Sequence, residues 1–468
     1  MQRLDSAKTE KPDGSRRSAF INLYLTKLKR GNKSVNRHIF AAAMTIGGIT
    51  GLVKLVAMAK ELAIAYQFGT GDVLDAFLIA YLLPAFAINV VAGSLSACLV
   101  PAYIRAKEQQ GQEAAQVLFS GFLWWGIVLL VGVSLLLAVV APYILPWIAT
   151  GFEASKLELV EELFYWLLPL LFIGGMTAVT GAVLNAGERF ALVAVAPMLT
   201  PLVVFAMVLL FVDRWGIYAV VAGTVTGCML EFTVIARGVS RRGLSLLPRW
   251  SGARREMMLI RQQFLPLAAG ALLMSSASVV DQAMAAMLDP GSVAALGFGN
   301  KVPALILGLG AMALGTAVLP YFSVQIARCD WNGVRHTFET YTRLILLISV
   351  PFTILLYFCS EWMVRLLFQR GAFTTEDTAI VGSVQAYYCL QIPFYILGIM
   401  GVRLITAMAM NNILIVIAVV NLIANVIGNY ILMQWLGVTG IALSTSIVYL
   451  LSSLMLITFI QTRVRYAK

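Results

Sequence analysis

The sequence predicts an all-α, polytopic membrane protein of about 12 transmembrane helices, built as two six-helix halves in V-shaped bundles around a central cavity. Three observations predict it. The 468 residues are 60% hydrophobic and only 12% charged, with a mean hydropathy of +0.85, whereas soluble domains carry about 25% charged residues. Apolar runs near 20 residues recur from residue 39 to 462, each long enough to cross a hydrocarbon core of ~30 Å. An outer-membrane barrel would instead show short alternating strands. Finally, landmarks in the first half return in the second at a nearly constant spacing, the mark of an internal repeat.

The chain opens with a basic segment, residues 1–37, holding ten Lys/Arg against three acids. It is polar and too long for the n-region of a cleavable signal; the stretch 19–30 within it is either a short interfacial helix or disordered. The spans then fall at 39–67, 73–104, 115–148, 159–186, 190–212 and 215–238. A second basic stretch, Arg237 to Arg261, holds seven Lys/Arg against Glu256 alone. The remaining spans fall at 262–288, 294–326, 337–367, 378–408, 411–434 and 437–462, ahead of a basic tail. The domain scheme is therefore a cytoplasmic segment 1–37, a half 38–240, a linker 241–261, a half 262–462 and a tail 463–468.

Loop charge sets the orientation. Loops after even-numbered spans carry Arg105, Lys107, Arg189, the 237–261 stretch, Arg328 and Arg335, then Arg463, Arg465 and Lys468. Loops after odd-numbered spans carry Asp72, Glu153, Asp213, Asp289, Glu376 and Asp377, with Arg365 and Arg370 as exceptions. The positive-inside rule then puts both termini in the cytoplasm. Basic loops at that face attract anionic lipid head groups. No aromatic-basic platform accompanies the +11 net charge, so nucleic acid is not the expected partner. Trp124, Trp125, Trp147, Trp166 and Trp250 fit interfacial belts.

The repeat is read from prolines and glycines. Pro84 and Pro101 recur as Pro303 and Pro320, each 219 positions on, with Tyr103 answered by Phe322. "TGF" (150–152) is answered by "GAF" (371–373). Pro169, Gly174 and "GI" (216–217) recur as Pro393, Gly398 and "GI" (440–441), at an offset of 224. Six spans is an even number, so both halves start on the same side. Such parallel halves typically flank a midplane site and work by alternating access. A helix proline frees a carbonyl and permits bending, so Pro84, Pro101, Pro303 and Pro320 are the expected hinges; each equally fits a fixed kink.

Charges inside the apolar spans point to a site, because each costs roughly 2.5–3.5 kcal/mol at a helix centre. Lys54, Lys60 and Glu61 lie in the first span, Lys301 in the eighth and Arg403 in the tenth. Lys54 and Glu61, seven apart, share a face two turns apart. The four cations are expected to line the cavity and bind an anionic substrate, lysine serving as a point-charge phosphate ligand. Lys60 and Glu61 also fit head-group anchors near a helix end, and Lys54 a buried structural pair with Glu61 or another acid. Glu61, Asp75, Glu231 and Asp281 are expected as charge partners or as groups coupling an ion; Asp75 also fits a cap on its own helix. Five scattered cysteines and two histidines give no disulfide framework and no metal site.

Several stretches resemble the MurJ/MviN lipid II flippases: "FGTGDVLDAFLIAYLLPAF…LVPAYI" (68–104), "VLNAGERFALVAVAPML" (183–199), "LGTAVLPYFS" (314–323) and, most specifically, "LLFQRGAFTTEDT" (366–378). The resemblance covers nearly the whole chain from about residue 40. It implies the fold of the multidrug/oligosaccharidyl-lipid/polysaccharide exporter superfamily. It also implies a flippase, not an enzyme, carrying an undecaprenyl-pyrophosphate-linked saccharide to the outer leaflet. That saccharide is the peptidoglycan precursor lipid II or an exopolysaccharide repeat unit. The drive would be membrane potential or a coupling ion (Na+ or H+), with no cofactor and a monomeric protein; no Walker-A loop occurs. The family carries arginines where Lys54, Lys60 and Lys301 stand, and usually fourteen spans. The alternatives are a drug/cation antiporter of the same superfamily, which would favour acids in its cavity, and a polysaccharide polymerase, which needs a larger outer loop.

Overall fold

In the computed structural model, residues 33–187, 190–249 and 254–466 are described, with side chains from residue 48 onward except at 190, 254–257, 259–261, 312–320 and 464–466. The stretch 19–30, Arg189, Trp250, Lys468, the side chains of Arg465 and Pro320, and most of the basic head lie outside the described residues. Two compact units are present, Met1–Leu52 and Val53–Lys468. Of the first, residues 33–52 are helical. Everything below concerns the second.

Among the described residues, eleven helices are long and apolar enough to cross a membrane. They match the expected second to twelfth spans. The remaining expectation, 39–67, falls on the helix Lys33–Phe68, whose described part carries Lys54, Lys60 and Glu61. Trp124, Trp125, Trp147 and Trp166 are exposed.

Prolines break the spans at corresponding places in the two halves. The fourth is split into Ala154–Leu167 and Pro169–Ala186, with Pro169 at the first helical position, where its missing N–H costs nothing. Its counterpart, the tenth, is split into Thr375–Cys389 and Ile392–Ala407 ahead of Pro393. The second span runs through buried Pro84 and widens into a π-turn at Ile88–Ala92. The eighth is interrupted at Asn300, between Ser292–Gly299 and Lys301–Ala327. Pro303 is buried there, whereas Pro101 is exposed. Lys301 therefore opens a helix at a break.

The cores explain how the halves meet. One apolar cluster draws on both: Ile64, Phe77, Ile79, Leu145 and Phe164 from the first half; Ala285, Phe298, Phe368, Phe373 and Ile441 from the second. It lies at the end of the helices bearing the acid-rich loops. Towards the other end each half keeps its own core, around Leu99, Phe119 and Phe122 in one and Phe322, Met400 and Leu404 in the other. The start of the seventh span leans on the first half's core through Phe264.

Candidate functional site: a lysine-lined cavity between the halves

The cavity holds about 340 Å3 and is lined by Lys54, Lys60, Glu61, Tyr81, Thr200 and Thr224 from the first half and by Lys301 from the second. Apolar side chains such as Phe77 and Phe298 form the rest of the wall and belong to the shared core. The cavity therefore sits beside the place where the two halves are fastened.

Three of the expected site residues meet at one atom. Glu61 Oε1 accepts from Lys60 Nζ at 2.7 Å and from Lys301 Nζ at 3.0 Å. All three side chains line the cavity, the lysines 26% and 36% exposed and Glu61 15%. This revises the spacing argument. The partner of Glu61 is its neighbour Lys60, bent back along the helix, together with Lys301 across the gap. Lys54, seven residues earlier, is exposed, lines the same cavity, and has no carboxylate within ion-pair distance among the described residues. Lys60 and Glu61 are likewise cavity residues, not anchors at a helix end.

Arg403 is not brought to this cavity. Its neighbours Met400, Leu404 and Ile405 are packed in the second half's own core, away from the shared one. Composition placed it correctly in a span, but only packing decides which way that span turns.

Glu231 reaches the site at one remove, accepting from Thr200 Oγ1 at 2.8 Å, and Thr200 lines the cavity. Asp281 is buried elsewhere, in the second half. It accepts from Asn425 Nδ2 at 3.0 Å, Asn429 Nδ2 at 2.7 Å and Thr445 Oγ1 at 3.4 Å. The carbonyl oxygens of both asparagines are buried without a partner. Asn425 and Asn429 went unnoticed in the sequence, although two amides at i, i+4 in an apolar helix face one way.

Asp75 takes a different role from a cap on its own helix. It is 1% exposed and accepts from the backbone N–H of Gly291 at 2.7 Å and Ala294 at 2.8 Å, so it caps the eighth span across the interface. Lys156 holds it at 3.2 Å, also binds Asp72 at 2.5 Å, and lies 3.7 Å over the Phe152 ring. Lys156 was not singled out in the sequence, because it sits in a loop-proximal turn among acids. Around this cluster the loops interlock. Ala372 N–H donates to Tyr66 O at 2.8 Å, and the Thr70 hydroxyl donates to Asp377. Gly371 (φ +61°) packs against Tyr66, and Gly151 against Ala286. These are one contact repeated: 151 to 371 and 66 to 286 are both 220 apart. Asp377 also closes a capping box with Thr374, which explains the local spacing of "FTTED".

Residues 64–468 match the profile of the lipid II flippase MurJ. The chain belongs to that family. One relative, a probable lipid II flippase MurJ of Rhizobium tropici, is 27% identical over 376 residues, covering 76% of this chain and 68% of that protein. A solved lipid II flippase MurJ in an inward closed conformation superposes with a TM-score of 0.77 at 21% identity, over 89% of this chain and 87% of that one. An inward-facing multidrug resistance MATE family transporter of the MOP superfamily gives 0.76 at 14% identity, over 91% and 98%. The chain is thus a multi-pass helical membrane protein with the MurJ/MATE-like fold. The MurJ profile begins at residue 64, so its match includes Lys301 but not Lys54, Lys60 or Glu61.

Proposed function

We propose that the chain is a flippase that moves an undecaprenyl-pyrophosphate-linked saccharide across the bacterial inner membrane by alternating access. The Rhizobium tropici relative is a probable lipid II flippase and one of the two solved structures a lipid II flippase; the glycan here is lipid II or an exopolysaccharide unit of the same lipid-pyrophosphate chemistry. One observation carries the reading: three lysines from both halves converge on a cavity beside the interlock, against a single carboxylate. A desolvated, net-positive wall suits a phosphate and repels a cationic drug, so the antiporter alternative is not favoured. Transport of this kind makes and breaks no covalent bond, in keeping with a flippase that is not an enzyme.

With both termini in the cytoplasm, the fastened end is the extracytoplasmic one, and the conformation faces inward. The pyrophosphate lodges at Lys54, Lys60 and Lys301, while apolar groups stay with the bilayer. Energy comes from an ion or the membrane potential. Both amides turn their N–H groups to Asp281; with the amides turned over, the carboxylate and two carbonyl oxygens would be oxygen ligands fit for a hard cation. Asp281, Asn425, Asn429 and Thr445 would hold it, and it would supply positive charge to a buried carboxylate. The protein works as a monomer, in contact with anionic lipid at its basic face.

The experiment is flipping of lipid II and of an undecaprenyl-pyrophosphate exopolysaccharide unit by purified protein in proteoliposomes. Lys54→Ala and Lys301→Ala are expected to lower the rate at least tenfold with normal protein yield. Wild-type rates in both would remove the cationic site, and movement of neither lipid by the unmodified protein would remove the flippase reading.

A further inference from the structure

Two cations at the fastened end play no part in the cavity. Arg365 and Arg370 are the exceptions to the loop-charge pattern, and Arg370 falls within "LLFQRGAFTTEDT", the most specific of the shared stretches. Both line one open recess of about 420 Å3 at the end of the ninth span, with Trp362, Leu366 and Gln369. Arg370 folds back along that helix, its Nη2 donating to Leu366 O at 3.2 Å. Gln369 spends its amide on Thr375 Oγ1 at 3.0 Å, which leaves the guanidinium groups as the charged donors of the recess. Glu361 and Glu376 are exposed and close in the chain, yet among the described residues no carboxylate lies within ion-pair distance of either arginine.

The fold does not require these charges. Gly151 and Gly371 make the same contact in the two halves, but the corresponding end of the third span, residues 142–150, carries no charge. Below the recess the ninth span continues as an apolar stripe. Leu355, Phe358, Trp362 and Leu366 are exposed at steps of three and four residues, whereas Leu356, Ser360 and Val364 on the opposite face are buried. From Arg365 to Leu355 the helix rises ~15 Å, the depth of one leaflet of a ~30 Å hydrocarbon core. Cations above an apolar stripe of that length match the head and the chain of a lipid.

We propose that Arg365 and Arg370 hold the phosphate of one anionic phospholipid, of the phosphatidylglycerol type, in the leaflet at the fastened end. Guanidinium forks bind phosphate oxygens bidentately, and two of them favour a head group that brings no cation of its own. The lipid bridges the last turn of the ninth span to the loop after it. That loop carries Gly371, packed against Tyr66, and Ala372, whose N–H donates to Tyr66 O, so the lipid supports the seam from the membrane side. This site is separate from the cavity and does not depend on what the cavity carries.

The test uses full-length protein in phosphatidylcholine vesicles with a trace of phosphatidylglycerol bearing a photoreactive group in its acyl chain, followed by mapping of the cross-linked peptides. Cross-links within residues 355–366 are expected, and unlabelled phosphatidylglycerol should compete for them at least tenfold better than added phosphatidylcholine. Arg365→Gln combined with Arg370→Gln is expected to lower these cross-links at least tenfold. Cross-links near the basic stretch 237–249 and the melting temperature should stay unchanged. Arg365→Lys combined with Arg370→Lys should lose about threefold. Undiminished cross-links in the glutamine variant would show that the arginines serve any head group, and the proposal is overturned. Equal competition by phosphatidylcholine in the wild type overturns it without any variant. Displacement by undecaprenyl pyrophosphate or inorganic phosphate, but not by phosphatidylglycerol, gives the recess to the cargo or to a free anion and overturns it as well.

Discussion

At Asp281, one buried carboxylate is met by two amides and a hydroxyl, yet both amide oxygens remain unpartnered. An unsatisfied buried acceptor costs about 1–3 kcal/mol, so a site carrying two of them is poised for a donor or a cation. Asp281→Asn removes the charge and keeps the shape. Flipping driven by an imposed Na+ or H+ gradient is expected to fall at least tenfold in this variant, with melting temperature near that of the wild type. An unchanged gradient dependence would show that the carboxylate serves only the packing of its helix. The lysines of the cavity differ among themselves: Lys54 is exposed where water or cargo can meet it, whereas Lys60 and Lys301 share the Glu61 carboxylate.

Among the elements, the eighth span depends most on a residue outside itself. Its first segment, Ser292–Gly299, has no side-chain cap of its own; Asp75 from the second span satisfies two of its free N–H groups instead. Position 75 is the repeat counterpart of 294, at the offset of 219 that relates Pro84 to Pro303, so the two helix starts face each other across the repeat axis. The counterpart of Asp75 is an alanine, so among the described residues only the eighth span receives a carboxylate from the other helix. Asp75→Asn leaves Lys156 with Asp72 and weakens the cap. It is expected to destabilise the closed end by about 3 kcal/mol, near the lower bound for breaking a buried pair. Labelling of a cysteine placed at Thr70 with a membrane-impermeant thiol reagent should then speed up from outside. Equal labelling and melting would show that the loops hold without Asp75.

Across the whole Val53–Lys468 unit, the halves share a core at one end and keep separate cores towards the other. Opening the fastened end must break the Asp75 cap, the Tyr66 to Ala372 hydrogen bond and the Thr70 to Asp377 contact together. These polar contacts rim the apolar core that the halves share, which must part with them, and both glycines of the repeated contact allow the backbones to approach closely. Such a seam can part without dismantling either half. In a cysteine-free background, a disulfide between cysteines at Thr70 and Asp377 is expected to stop flipping, with recovery on reduction. Full activity in the oxidised state would mean that this end does not open during transport.

Much of this was legible in residues alone. Helices, span order and the repeat follow from apolar run length and from proline and glycine spacing, because a bilayer demands a fixed length of satisfied backbone whatever the neighbours are. Lys54, Lys60, Glu61 and Lys301 stood out for the same reason, as charges in an apolar medium must have a purpose or a partner. Partnership was another matter. That Glu61 bridges Lys60 and Lys301, that Arg403 lies off the cavity, that Asp75 caps a helix 216 residues away, and that Asn425 and Asn429 gather at Asp281 were decided only by the tertiary structure. Helix periodicity places a side chain on a face, but the rotation of each helix and its neighbour are set by packing between segments distant in the chain. The sequence by itself determined which residues could not be idle in a membrane; the packing of the two halves decided what each of them meets.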